Sequence, residues 1–161
     1  RERVGLFDPE LESFGEDLDL SLRARRLGYR IRYVHDAEIR HHLGASYGRV
    51  SPRKIFLVER NRMRAAIRSL PMSALATMPA WTTFRLTSMG LIALLGRGPG
   101  AGVGLQGTGA ALMGGLAGLA SAPDAWRKRE RDRKRWTVGE KEMWGHLLTH
   151  RVRSRDLLGT R

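Results

Sequence analysis

The chain has 161 residues, enough for one modest domain with its own hydrophobic core. It contains no cysteine, which excludes disulfides and thiolate metal sites. Its 29 Lys and Arg residues against 16 Asp and Glu residues give a net charge of +13, which favours an anionic partner such as a nucleic acid, an acidic membrane or a phosphorylated substrate.

The charges are unevenly distributed along the chain. Nine of the acids lie in the first forty residues, and the basic excess lies in residues 49–68 and 127–135. Residues 71–123 carry only Arg85 and Arg97 as charges. No basic start followed by an apolar run marks a signal peptide, and we expect the chain to be a fragment of a longer protein.

The first predicted elements are a helix and a strand. Residues 18–27 place apolar side chains on one side and arginines on the other, which predicts a short helix with Asp17 and Asp19 at its N-terminal end. Residues 29–34 alternate in the manner of a strand with one buried face.

Helices are predicted for most of the remainder. Residues 52–70 have the pattern of a basic amphipathic helix that Pro71 ends, and residues 81–95 are apolar enough for another. Residues 98–123 are uncharged and long enough to cross a bilayer, but glycines make their first half a poor helix, so we favour an interfacial segment. Residues 126–136 predict a solvated, arginine-rich helix, and residues 138–148 a last short one.

The residues best suited to chemistry lie between positions 5 and 46. They are Gly-Leu-Phe-Asp at 5–8, Gly-Glu-Asp-Leu-Asp-Leu-Ser-Leu-Arg at 15–23, Gly-Tyr at 28–29, and then His41, Gly44 and Ser46. A carboxylate at a helix start could remove a proton from a hydroxyl, and an imidazole could bind a divalent metal. Acids ahead of a helix are also typical helix caps, and both interpretations stay open on the residues alone.

The order of these motifs resembles that of inverting family-2 glycosyltransferases, in particular rhamnosyltransferase-like members. The shared features are Gly-x-Phe-Asp, Glu-Asp-x-Asp-Leu-x-x-Arg, Gly-Tyr, a histidine near Gly-x-Ser, and the Glu-Arg-Asn triplet at 59–61. The resemblance covers residues 3–71 and implies an α/β fold, with residues 1–71 forming the acceptor-side, C-terminal part of a GT-A domain. We expect a glycine-rich, membrane-associated helical segment at 72–123 and a basic helical tail at 124–161.

The resemblance also implies roles for individual residues. Asp17 matches the general base, and His41 matches a ligand of the divalent cation, Mg²⁺ or Mn²⁺. Glu16 and Arg60 are expected to contact the acceptor or to support a residue that does. Asp19 is expected to be structural, as a helix cap, and Arg23 to lie on the helix surface or to pair with one of the acids.

The implied function is transfer of a sugar, with inversion, from a nucleotide-sugar donor to a glycan or polyprenyl-linked acceptor in cell-surface polysaccharide synthesis. We expect a cytoplasmic protein, peripheral on the inner face of the plasma membrane, whose 49–68 arginines meet a polyprenyl diphosphate or anionic lipid. The donor-binding half with its Asp-x-Asp motif is not in the sequence, so this chain alone is expected to be inactive.

The alternative is a small basic protein that binds an anionic membrane or RNA. The basic cluster at 127–135 includes Glu130 and Asp132, which argues against nucleic acid as its partner.

Overall fold

The computed structural model describes residues 4–40, 51–95 and 104–150. In these ranges a short 3-10 helix, Pro9–Leu11, precedes six α-helices. They are α1 (Glu16–Arg26), α2 (Pro52–Ser69), α3 (Met72–Leu94), α4 (Gly104–Ala120), α5 (Ala122–Arg133) and α6 (Glu140–Thr149).

The α/β fold expected for this chain is wrong, because the described ranges contain helices and no β-strand. Residues 29–34, which alternate like a strand, are irregular, and Tyr29, Ile31 and Tyr33 are all exposed. A strand is completed by hydrogen bonds to a neighbouring strand, and no described segment pairs with this one. The observed architecture is therefore all-helical, not part of a GT-A sheet.

The helices predicted at 18–27 and 52–70 are confirmed as α1 and α2. Ser51 caps α2 by accepting a hydrogen bond from the Lys54 amide at 3.3 Å, and Pro52 occupies the first helical position, where its missing N–H costs nothing. The helix ends at Ser69, and Leu70 is extended ahead of Pro71. The local sequence thus determines both ends of α2.

The prediction of a poor helix in the glycine-rich segment is wrong for the described part, since α4 is continuous from Gly104. Its small residues form a buried stripe against α2, at Gly107, Ala111, Gly114 and Gly118. A Cβ atom at Gly118 would lie 2.5 Å from Cβ of Met63 and 2.9 Å from the Arg60 carbonyl oxygen. The close approach of two helices stabilises α4 despite its low intrinsic propensity.

Helix α2 is central to the packing, because α1, α4 and α5 all contact it. Helix α3 packs on α4 and joins α2 through a 2.6 Å ion pair between Arg85 and Glu59. None of the helices in the described ranges is long and apolar enough to cross a membrane.

Helix α5 is only partly solvated, contrary to the prediction for residues 126–136. Ala125, Arg129 and Asp132 are buried on the side that faces α2. The Arg129 guanidinium donates to the carbonyl oxygens of Ile67 at 3.0 Å and Leu70 at 2.7 Å, at the end of α2. An arginine-rich helix can therefore contribute to the interior when its guanidinium groups satisfy helix-terminal carbonyls.

Arg26 joins α1 to the C-terminal helices and is fully buried. Its guanidinium donates to the Ser69 carbonyl oxygen at 2.7 Å and to Glu140 at 2.9 Å, and it lies 4.1 Å from the centre of the Trp136 ring. This single side chain therefore ties α1 to the end of α2 and to the start of α6.

Candidate active site

The turn that precedes α1 has an unusual backbone. Glu12 and Phe14 have φ values of 61° and 68°, in the left-handed region that side chains other than glycine rarely adopt, and Gly15 follows with 81°. Each such non-glycine residue costs on the order of 1 kcal/mol or more. Other parts of the molecule must therefore hold the turn in place.

Asn61 in α2 is the main residue that holds this turn. It is completely buried, and its Nδ2 donates to three backbone carbonyl oxygens of the turn, those of Leu11 at 2.7 Å, Ser13 at 3.0 Å and Phe14 at 2.6 Å. A buried amide that bonds to several carbonyls of one turn determines its conformation in a way that an apolar contact could not.

Arg60 supports the same turn from the neighbouring position. Its guanidinium donates to Glu12 Oε1 at 2.8 Å and to the Leu11 carbonyl oxygen at 3.2 Å, while its Nε donates to Asn61 Oδ1 at 3.0 Å. The hydrogen bond and charge of Arg60 lower the pKa of Glu12 below its ordinary value. The structure thus places Arg60 as a residue that supports the turn.

Asp17 lies in the first turn of α1, directly after this turn, and its side chain is exposed. Its Oδ1 accepts a hydrogen bond from the Leu18 amide at 2.8 Å. The N-terminal end of a helix carries a partial positive charge that stabilises nearby anions. The carboxylate is therefore accessible to a molecule in solution and close to the helix terminus.

Glu16 precedes Asp17 and is only partly exposed. Its Oε2 is buried and has no hydrogen-bond partner among the described residues. A buried carboxylate oxygen without a partner is costly, so the position of the Glu16 side chain is unfavourable unless something else compensates for it.

Asp19 does not cap α1, contrary to the prediction. Gly15 is the N-cap residue, and Asp19 is buried inside the first turn, where it pairs with Arg23 at 2.8 Å and with Arg68 at 3.4 Å. Of the two possibilities for Arg23, pairing with an acid is confirmed. Arg23 also donates to the carbonyl oxygens of Leu6, at 2.8 Å, and Val4, so it fixes the start of the described chain to α1.

A network of charges connects Asp8, at the start of the turn, to α2 and α5. Asp8 Oδ2 lies 3.1 Å from Arg68 and 2.8 Å from Lys128. Partial burial alone would raise the pKa of Asp8, but hydrogen bonds from Lys128 and the Glu10 amide, together with the charges of Lys128 and Arg68, lower it. For Lys128 the signs are reversed: burial alone would lower its pKa, but its hydrogen bonds to Asp8 and Glu10 raise it.

A cleft of about 380 Å³ opens beside this network, between residues 4–10 and α5. Arg23, Arg68, Lys128, Arg131 and Arg135 contribute five positive charges to its lining, against three negative charges from Asp8, Glu10 and Asp132. The Arg131 and Arg135 side chains are more than half exposed at the rim, although each also approaches Asp132. The cleft can attract an anion, and Asp17 is not part of its lining.

The predicted site is brought together only in part. Glu16 and Asp17 follow the turn that Arg60 holds, whereas His41 lies outside the described residues. In the ranges that the structure describes, no group of three or more His, Asp or Glu side chains could hold a metal ion.

The structural roles of Asn61, Arg68 and Lys128 at this site were not predicted from the sequence, in which Asn61 stood out only as part of the Glu-Arg-Asn triplet. A signal was present in α2, which carries six basic residues and one acid, Glu59. A helix so poor in acids needs partners elsewhere, and the acids of residues 8–19 supply several of them.

Comparison of the chain with models of protein families, with curated proteins and with solved structures finds no match.

Proposed function

We propose that this chain is the acceptor-side part of a glycosyltransferase, in which Asp17 is the general base. The donor would be a nucleotide sugar, and the acceptor a glycan or a polyprenyl-linked sugar. The reaction would proceed with inversion, as in the family that the sequence resembles. This proposal concerns the site and does not require the sheet that the described residues lack.

The observation that carries the proposal is the contact between two distant motifs of the resemblance. The Glu-Asp-x-Asp-Leu-x-x-Arg motif begins at Glu16, and the Glu-Arg-Asn triplet occupies positions 59–61. Asn61 and Arg60 of the triplet hold the turn that leads into the first motif. A buried amide that positions an exposed carboxylate is typical of a site whose geometry matters.

The proposed step is a direct displacement. The Asp17 carboxylate takes the proton of an acceptor hydroxyl while that oxygen attacks the anomeric carbon of the donor sugar. The bond from the anomeric carbon to the nucleoside diphosphate breaks, and the diphosphate leaves with the bonding electrons. An exposed carboxylate at a helix terminus is accessible to such a hydroxyl.

The cleft that Lys128, Arg131 and Arg135 line has two more positive than negative side chains, which favours an anionic group of the acceptor there, although Asp17 is not part of its lining. A polyprenyl-linked sugar carries a diphosphate, and guanidinium and ammonium groups are the side chains best suited to bind one.

A divalent cation, with His41 as a ligand, remains part of the proposal through the resemblance alone. The described residues offer no cluster that fits it, so no step is assigned to a cation here.

The test is sugar transfer by the full product of the gene, with a panel of nucleotide sugars and a lipid-linked acceptor. Asp17→Asn should lower kcat by roughly 10³-fold, because the base is lost while the side chain keeps its size. Nucleotide-sugar binding by calorimetry should be unchanged, because Asp17 contacts the acceptor only.

Asp36→Asn serves as the matched control, since Asp36 is an exposed carboxylate outside the helix terminus, and it should leave kcat unchanged. Turnover by Asp17→Asn within a few-fold of wild type would rule out the base assignment. No transfer by the wild-type gene product with any donor would count against the glycosyltransferase itself.

The alternative is a small basic protein that binds an anionic membrane or RNA, and binding of RNA has the weaker support. The α2 arginines at positions 60, 62, 64 and 68 all pair with carboxylates, which leaves less positive charge for phosphates than the sequence suggested.

A further inference from the structure

The outer faces of α3 and α4 expose large apolar side chains. On α3 these include Trp81, Phe84 and Leu91, which are 68%, 64% and 60% exposed. On α4 they include Leu112, Leu116 and Leu119, each about half exposed. Apolar surface on this scale is unfavourable in water, and in soluble proteins it marks a contact with a partner or a membrane.

The orientation of α4 makes this exposure a consequence of its sequence. The spacing of Leu112, Leu116 and Leu119 places them on one side of the helix, and the stripe that ends in Gly114 and Gly118 lies on another. Gly114 and Gly118 lie so close to α2 that a Cβ atom at either would collide with backbone or side-chain atoms of α2. No larger side chain of α4 could therefore take their place against α2. The close packing of α4 on α2 therefore directs the leucines outward.

The charge of the whole chain indicates what covers this face. Residues 71–123 contain no Asp or Glu, and the whole chain carries a net charge of +13. Pairing two copies would bring two such charges together, which opposes self-association. An anionic lipid surface instead attracts the chain, and its acyl chains accept leucine and aromatic side chains without any matching shape.

We propose that the outer faces of α3 and α4 dock on the surface of an anionic bilayer and insert their apolar side chains among the outer acyl segments. Trp81 and Phe84, whose rings lie 6.2 Å apart in an edge-to-face arrangement, are suited to the boundary between headgroups and acyl chains. The docking surface is on α3 and α4, within the segment 72–123 that the sequence predicts to be membrane-associated, and does not include the arginines of residues 49–68. It does not depend on the proposed sugar transfer.

The test is flotation of the purified chain with vesicles of phosphatidylcholine alone and of phosphatidylcholine mixed equally with phosphatidylglycerol. The chain should float with both and more strongly with the anionic mixture, and added salt should remove the difference. The variant Leu112→Gln with Leu116→Gln and Leu119→Gln should lower the partition coefficient on the order of 100-fold. Circular dichroism should show unchanged helix content, because all three side chains are half exposed.

A matched control replaces three exposed apolar residues elsewhere, as Ile31→Gln, Tyr33→Gln and Ile39→Gln, which are 58%, 88% and 86% exposed. This control should float like wild type. Equal loss in both triple variants, or wild-type flotation by the α4 variant, would overturn the proposal. So would a wild-type dimer that the α4 variant dissociates while no vesicle binds, since that result makes the face a self-association surface.

A second measurement reports on position. Brominated acyl chains should quench part of the tryptophan fluorescence of the bound chain, and Trp81→Phe should remove most of that quenched part while the chain still floats. Quenching that persists in Trp81→Phe would place another tryptophan, and not α3, at the membrane.

Discussion

The side-chain amide of Asn61 lies 2.6 Å from the backbone carbonyl oxygen of Phe14, across a sequence separation of 47 residues. This hydrogen bond fixes the turn ahead of Asp17 to the middle of α2. Phe14 and Glu12 remain in the left-handed region because the contacts of Asn61 and Arg60 compensate for the backbone strain.

We expect Asn61→Ala to lower the free energy of unfolding by about 2–4 kcal/mol, because it removes the side-chain donor of the partly buried Ser13 and Phe14 carbonyl oxygens and one of the donors of the Leu11 carbonyl oxygen. Urea unfolding followed by circular dichroism measures the change. Arg53→Ala is the control on the same helix: Arg53 makes an exposed ion pair with Glu12, and its loss should cost at most about 1 kcal/mol. Equal effects of the two substitutions would contradict the central position of Asn61.

Packing of α4 on α2 gives the second prediction. Gly118→Ala should destabilise the chain by about 1–3 kcal/mol, since the new Cβ would meet Met63 and the Arg60 carbonyl oxygen. Gly115→Ala in the same helix should instead stabilise it by roughly 0.5–1 kcal/mol, because nothing lies within 4 Å of its added Cβ and alanine is the better helix former. Thermal unfolding of both variants tests the pair, and a stabilising Gly118→Ala would disprove the close approach.

The elements that the sequence predicted well are those whose limits are local. Ser51 and Pro52 begin α2, and Pro71 follows its end, so a few neighbouring residues sufficed. The prediction of a strand at 29–34 was wrong because alternation describes the faces of a segment and not whether a neighbouring strand is present to pair with it. The prediction of a poor helix in the α4 segment was wrong because the tertiary packing of its small residues outweighs their low intrinsic helix propensity.

The acids of the candidate site could be predicted from the sequence, but the basic residues that pair with them could not. Glu16 and Asp17 could be singled out from a motif, because both lie in one short stretch. The partners of Asp8 and Asp19 could not, since Arg68 and Lys128 belong to runs of charge that resemble solvated helix faces. Only the folded arrangement distinguishes a buried arginine from an exposed one in such a run.

Arg26 gives the third prediction, since it is buried and contacts the Ser69 and Val138 carbonyl oxygens, Glu140 and the Trp136 ring. Arg26→Lys keeps the charge but cannot reproduce the planar fork or the stacking on Trp136, so we expect a loss of about 2–4 kcal/mol in unfolding free energy. The control is Arg25→Lys, at the neighbouring position. Arg25 makes only a long hydrogen bond to the Tyr29 carbonyl oxygen, at 3.5 Å, so this substitution should change the free energy of unfolding by less than about 0.5 kcal/mol. Urea unfolding measures the stability of both variants. Wild-type stability in Arg26→Lys would show that only the positive charge matters at this position.

Asp8 gives the fourth prediction, a dependence of stability on pH. Its pKa in the folded chain is lowered from the ordinary value of 3.8, so near that pH the unfolded chain binds more protons than the folded one. The stabilisation that Asp8 contributes is therefore complete above pH 3.8 and is lost as the pH falls through the lower, folded-state pKa.

In Asp8→Asn this contribution is absent at every pH, because the amide does not ionise. The difference in unfolding free energy between wild type and Asp8→Asn should therefore be constant at neutral pH and should shrink as the pH falls below 3.8. Urea unfolding over a series of acidic pH values measures it, with the exposed Asp36→Asn as a control that should change little throughout. A difference that stays constant down the whole acidic series would show that the ionised carboxylate is not what binds Lys128 and Arg68 to the turn.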